Sequence, residues 1–137
     1  MNQNMQNSTA LAGRILLALI FVLSGFNKIT GFDGTAAYMA SAGLPFTKVL
    51  LVLTIAVELG GGLLIMLGWK ARWVALVVFL FLIPVTLVFH NPAADPAQAQ
   101  QQMVHLLKNV AIMGGMLHLF AFGAGAWSVD GRRSVQA

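Results

Sequence analysis

Strongly polar side chains sit inside a run apolar enough to cross a membrane. Residues 101–122, QQMVHLLKNVAIMGGMLHLFAF, carry His105, Lys108, Asn109 and His118. The first three stand at i, i+3 and i+4, which puts them on one face of a helix. A charge at membrane depth is costly, so such residues turn toward a bundle interior or a wet cavity. A cation beside an amide donor can hold a carbonyl or a small anion. Imidazoles titrate near neutral pH and can pass protons. That face needs partners from other segments, and the chain offers Lys28, Glu58, His90 and Asn91.

The elements that must position these groups follow from composition. Of 137 residues, 58% are hydrophobic and 9% charged, far below the roughly 25% charged residues of a soluble domain. The composition predicts an all-α polytopic membrane protein, a four-transmembrane-helix bundle in a single domain, residues 1–137. Its spans are expected at about 10–27, 46–67, 73–90 and 103–122. Residues 1–9 are polar and expected to be mobile. No basic n-region and small-residue cleavage site precede the first run, so it is expected to be retained as a helix. The loop after it contains TAAYMA, the centre of a short interfacial helix with Tyr38 at headgroup level. Thr54, Glu58, Gly61 and Gly62 form a polar and small stripe, expected to face another helix. Glu58 falls near the midplane. Pro84 predicts a kink in the third span. Residues 91–102 are a polar loop.

The net charge of +4 is spread over scattered Lys and Arg, with no basic run interleaved with aromatics, so nucleic acid is not an expected partner. Cysteine is absent, which excludes thiol exchange and cysteine metal sites. The cation distribution sets orientation. Arg14, Lys70, Arg72, Arg132 and Arg133 fall on one side, and Lys28 and Lys48 on the other. Both termini are therefore expected to be cytoplasmic. Lys28, His90, Asn91, His105, Lys108 and Asn109 then share the outer half, with Glu58 just below. Four helices would bring polar groups to one level.

Several motifs follow one another along the chain: SGFNKITGF, AGLP, ELGGGLLIMLGWKARW, PVTLVFHN, HLLKNVAIMGG and SVD. Together, over residues 11–130, they resemble the DoxX family of small four-helix bacterial integral membrane proteins. The resemblance implies residence in the bacterial inner membrane and association with redox systems. Relatives include the membrane subunit of a thiosulfate:quinone oxidoreductase and companions of quinone or catechol stress systems. No residue here is implied to bind thiosulfate.

Each polar residue carries a structural and a functional reading. Glu58 is a register-fixing partner of Lys108 or Lys28, or a proton-accepting carboxylate; one pair can do both. Lys108 and Asn109 are a packing and counter-ion device, or the donors that hold a quinone carbonyl. His90 and His105 are headgroup-zone histidines or proton carriers. A bis-histidine haem is disfavoured because both lie at helix ends, and no metal site is expected because three ligands would have to converge. His118 lies off the polar face and is expected to pack. Arg14 is expected to snorkel to the headgroups.

The sequence holds no nucleophile–base set, phosphate loop or carboxylate pair. Chemistry would come from a bound quinone or a partner subunit; no intrinsic cofactor is expected. The leading expectation is a membrane subunit of a quinone-linked redox system. Glu58, His90 and His105 are its candidate proton carriers. Lys28, Glu58, His90, Asn91, His105, Lys108 and Asn109 are its candidate ligand-binding residues. Alternatives are a non-catalytic membrane anchor for an oxidoreductase subunit and a small transporter or proton-conducting protein. The lipid bilayer is the expected partner throughout, with homo-oligomers in view because one chain is small for a transport path. The orientation is directly testable, since the chain has no cysteine of its own. Lys70→Cys and Arg133→Cys should be labelled only from the cytoplasmic side and Ala97→Cys only from outside. Reversed labelling would move the polar level to the inner leaflet.

Overall fold

The computed structural model describes residues 2–136, with side chains described through residue 132. Every regular element among them is helical: α1 (Gln3–Thr30), α2 (Phe32–Ser41), α3 (Thr47–Ile55), α4 (Gly61–Leu67), α5 (Ala71–Phe89), α6 (Ala99–Phe122) and α7 (Val129–Gln136). A π-helical turn, Ala56–Gly60, joins α3 to α4 in one rod, and a 3₁₀ turn, Pro96–Gln98, leads into α6. Four helices are long and apolar enough to cross a membrane: Gln3–Thr30, Thr47–Leu67, Ala71–Phe89 and Pro96–Phe122.

The first helix starts well before the apolar run. Asn2 caps it, accepting a hydrogen bond from the Met5 amide at 2.8 Å. The Ser8 and Thr9 hydroxyls donate back to the Met5 carbonyl, so the polar segment expected to be mobile is helix from Gln3. Helix α6 likewise begins at Ala99, inside the expected loop, where Asp95 caps the preceding 3₁₀ turn. Helix α5 runs unbroken through Pro84.

Small residues let the helices approach closely. A Cβ at Gly62 would lie 2.9 Å from Val22 Cγ2 and 3.1 Å from the Val22 amide of α1. One at Gly25 of α1 would meet the Leu59 backbone at 2.8 Å, and one at Gly61 would meet Val78 of α5 at 3.2 Å. The α4 glycines thus serve α1 and α5 at once. Around them Ala18, Phe21, Ile65, Val78, Leu82 and Met116 form the main core. At the other end, α2 buries Ala36 and Met39 against Leu51, and Tyr38 stacks on Phe89 at 5.6 Å. Helix α2 is therefore a lid on the bundle rather than only an interfacial segment.

The opposite end is tied together by hydrogen bonds. Gly68 ends α4 in the left-handed conformation (φ 69°). Its amide bonds the Ile65 carbonyl and the Trp69 amide bonds the Leu64 carbonyl. Asp130 then caps α5 from a distance: its two carboxylate oxygens accept from the Lys70 and Ala71 amides at 2.8 and 2.9 Å. Its own amide donates to the Gly68 carbonyl. Arg14 does not snorkel to the headgroups. It is 4% exposed and donates to the carbonyls of Met66, Ala124 and Trp127. Carbonyls at the end of α4 and in the turn after α6 match its fork of donors better than headgroups would, because the backbone holds them in place.

Gly62→Ala should destabilise the bundle by about 1–3 kcal/mol, since the new methyl meets the backbone of α1 and cannot be absorbed by a rotamer change. Gly13→Ala, where nothing lies within 4 Å, should be neutral or slightly stabilising. Paired thermal melts in mild detergent check this; equal losses would mean that the α1–α4 approach is not tight.

Candidate functional site

The ion pair at the centre of the site follows from two local features. Lys28 and Ser24 stand one turn apart near the end of α1, and the Lys28 ammonium donates to Ser24 Oγ at 2.7 Å. Glu58 sits within the π turn. Such a turn adds a residue to the helical circuit and is a frequent mark of functional positions. It turns the following residues by about 100° relative to an unbroken α-helix. Thr54 and Glu58 line a cavity while Gly61 and Gly62 pack against α5 and α1.

Lys28 Nζ stands 2.8 Å from Glu58 Oε2. Of the two partners the sequence left open, Glu58 has Lys28 and not Lys108. The Glu58 residue is 7% exposed. The ammonium lies directly against Oε2 as a close ion pair, and no other donor reaches that buried oxygen among the described residues. A buried carboxylate so poorly supplied with donors is held chiefly by the charge of Lys28.

The pair faces a cavity of about 270 Å³. Phe21, Leu82, Val85, Phe89 and Ile112 give it apolar walls, and α2 closes it with Thr35, Tyr38 and Met39. Lys108 and His90 lie at its edge. The lining residues that are solvent-exposed are Ile20, Tyr38 and Lys108, which mark its opening.

The other polar residues divide around this cavity. Asn109 is 5% exposed and donates through Nδ2 to Thr86 Oγ1 at 3.0 Å, while the Thr86 hydroxyl donates to the Leu82 carbonyl. This ties α6 to α5, so at least one amide donor is spent on packing. Lys108 is exposed and lies 3.3 Å from His105 Nδ1. The His90 and His105 rings lie tilted against each other with centroids 5.1 Å apart, and His90 Nδ1 meets Gln102 Oε1 at 3.1 Å. His90 lines the cavity and His105 does not. Asn91 turns its side chain to the outer loop, where it accepts from the Ala93 amide. His118 is exposed and packs on Phe122 at 4.6 Å. Among the described residues no three His, Asp or Glu come together to hold a metal.

Sequence reasoning did not single out Thr35, Tyr38 or Met39 as site residues. Only the amphipathic Tyr38 carried a signal, and it was equally consistent with a headgroup position. The site can hold a compact ring in apolar surroundings beside one ammonium donor and one carboxylate acceptor.

A double-mutant cycle tests the pair. Lys28→Met alone leaves Glu58 uncompensated and should cost about 3–5 kcal/mol in stability. Adding Glu58→Gln should restore much of that, whereas Lys108→Met should change little. Strictly additive losses for Lys28 and Glu58 in detergent melts would mean that the two charges do not support each other.

The chain is similar to known proteins. The DoxX family model matches residues 9–91. The chain is 35% identical over 128 residues to the inner membrane protein YqjF of Escherichia coli (strain K12), covering 93% of this chain and 94% of that one. It is 35% identical over 123 residues to the inner membrane protein YphA of the same strain, covering 89% and 88%. Bacillus subtilis (strain 168) has a protein named "Putative oxidoreductase CatD", 29% identical over 110 residues, 80% of each chain. No solved structure matches. The motifs, the four spanning helices and these matches agree: the chain belongs to the DoxX family of membrane proteins.

Proposed function

We propose that the cavity binds the head group of a lipid-soluble quinone and that the chain is the membrane subunit of a quinone-linked redox system. The observation that carries this is the Lys28–Glu58 pair, its carboxylate buried and its ammonium half-buried, at a mainly apolar cavity of head-group size. Pockets for small molecules combine apolar walls with a few placed polar groups. Lys28 supplies protons for a carbonyl oxygen, and Glu58 supplies an acceptor within reach of the same ring. A bound quinone would bring the electron-carrying chemistry that no side chain here offers. The paired rings of His90 and His105 lie between the cavity edge and the outer loop, which suits a path for protons. A relative named as an oxidoreductase favours the same direction. By the cation distribution, Lys70 and Arg72 face the cytoplasm and the cavity lies in the outer half of the inner membrane.

The test is titration of the purified protein with a short-chain quinone. Wild type should bind saturably. The doubly neutral variant Lys28→Met with Glu58→Gln should bind roughly five- to 150-fold more weakly while remaining folded. No saturable binding by folded wild type would sink the proposal. Recruitment of a soluble oxidoreductase without quinone binding would identify an anchor. Proton flux in liposomes without a redox partner would identify a conducting path.

A further inference from the structure

We propose that His90 is the ring that exchanges protons with a ligand in the cavity, and that His105 is held out of that exchange as the acceptor of Lys108. This rests on the cavity being a ligand site and narrows its proton path to one imidazole.

The two rings differ in their hydrogen bonds. An ammonium has donors and no acceptor. His105 Nδ1, 3.3 Å from Lys108 Nζ, therefore accepts, and its ring is neutral with the proton on Nε2 while that contact stands. A proton on Nδ1 would break the contact and set two cations against each other. His90 is the reverse. Its Nδ1 lies 3.1 Å from Gln102 Oε1, an amide oxygen that only accepts, so Nδ1 carries the proton and donates. Nε2 has no protein partner among the described residues. It can gain or lose a proton with the Gln102 bond intact. Gln102 is thus a positioning residue that decides which nitrogen stays open.

Position supports the same division. The His90 ring lines the cavity, and neither His105 nor Gln102 does. His90 also closes α5, its amide bonded to the Thr86 carbonyl, and the carboxyl end of a helix accommodates a cation. The charges near it have other work. Lys28 and Glu58 offset each other, Lys108 bears first on His105, and Asp95 caps the 3₁₀ turn. Tyr38 of α2 is the other titratable group in the lining. The proton step moves no electrons. A hydroquinone hydroxyl gives its proton to Nε2, the O–H bond breaks with its electron pair left on oxygen, and the imidazolium passes the proton to water at the outer loop.

The experiment uses the full chain in mild detergent, without oxygen. The probes are a short-chain benzohydroquinone and the matching benzoquinone. Neither probe titrates between about pH 5 and pH 8, where an imidazole does. Neutral Nε2 accepts from a hydroxyl, and protonated Nε2 donates to a carbonyl. With rising pH, hydroquinone affinity should therefore increase roughly ten- to 100-fold, and quinone affinity should fall. His90→Gln should flatten both profiles, and His105→Gln should keep them. Gln102→Glu should move their midpoint up by about one pH unit, because a carboxylate on Nδ1–H favours the imidazolium. Imidazole nitrogen NMR of the ligand-free protein can resolve its three histidines, assigned by substitution. Neutral His90 should carry its proton on Nδ1, and neutral His105 on Nε2. Flat wild-type profiles, profiles that survive His90→Gln, or profiles lost in His105→Gln overturn the assignment and leave the ligand site standing. The opposite tautomer at His90, or an unmoved midpoint in Gln102→Glu, overturns the role of Gln102. Failure of folded wild type to bind either probe overturns this inference together with the proposed function.

Discussion

A carboxylate buried among apolar helices is the constraint on which the rest of the architecture depends. Glu58 is tolerable at its depth because Lys28 brings an opposite charge within 2.8 Å. That demand fixes the distance and register between α1 and the second spanning rod. Close approach is in turn possible only because Gly25 and Gly62 remove side chains where the two backbones meet. The charge pair and the glycines are therefore two halves of one device. The first supplies the reason for the approach and the second supplies the room.

The π turn resolves a conflict between these halves. Glu58 must face the cavity while Gly61 and Gly62 pack against α5 and α1. The added residue of Ala56–Gly60 divides the polar part of the stripe from the glycine part. Such a turn costs some backbone stability, which the packing on both sides offsets.

The two ends of the bundle are built for different tasks. At the Arg14 end, main-chain hydrogen bonds from Arg14, Asp130 and the Gly68 cap lock α1, α4, α5 and the tail together. Exposed Trp69, Trp73 and Trp127 sit around that end, as expected of an interfacial belt. At the other end, α2 covers the cavity with a small apolar cluster and one aromatic stack. Apolar contacts of that size open more readily than a hydrogen-bonded knot. The cavity's exposed lining, Ile20, Tyr38 and Lys108, lies at that second end.

Much of the fold was legible in the sequence, because the demand that lipid makes of a helix is local. Runs of apolar residues of spanning length, interrupted by GWKAR and by a proline-rich loop, specify spanning helices without knowledge of their neighbours. The gathering of Lys28, Glu58, His90 and Asn109 around one level was also legible, since depth follows from position along a span. Direction around the helix axis was not. Periodicity placed Lys108 and Asn109 on one face, yet Asn109 is buried on Thr86 and Lys108 is exposed beside His105, because adjacent residues differ by about 100° and the packed face ends between them. The choice of Lys28 over Lys108 for Glu58 needed the π turn and the crossing of α1 over α4, neither of which a regular 3.6-residue period announces. Burial of Arg14 and capping of α5 by Asp130 required contacts across 52 to 113 and 59 to 60 residues of sequence. Local pattern determined which segments cross the membrane and at what depth their polar groups lie. Only the packing of backbone on backbone decided which of those groups meet.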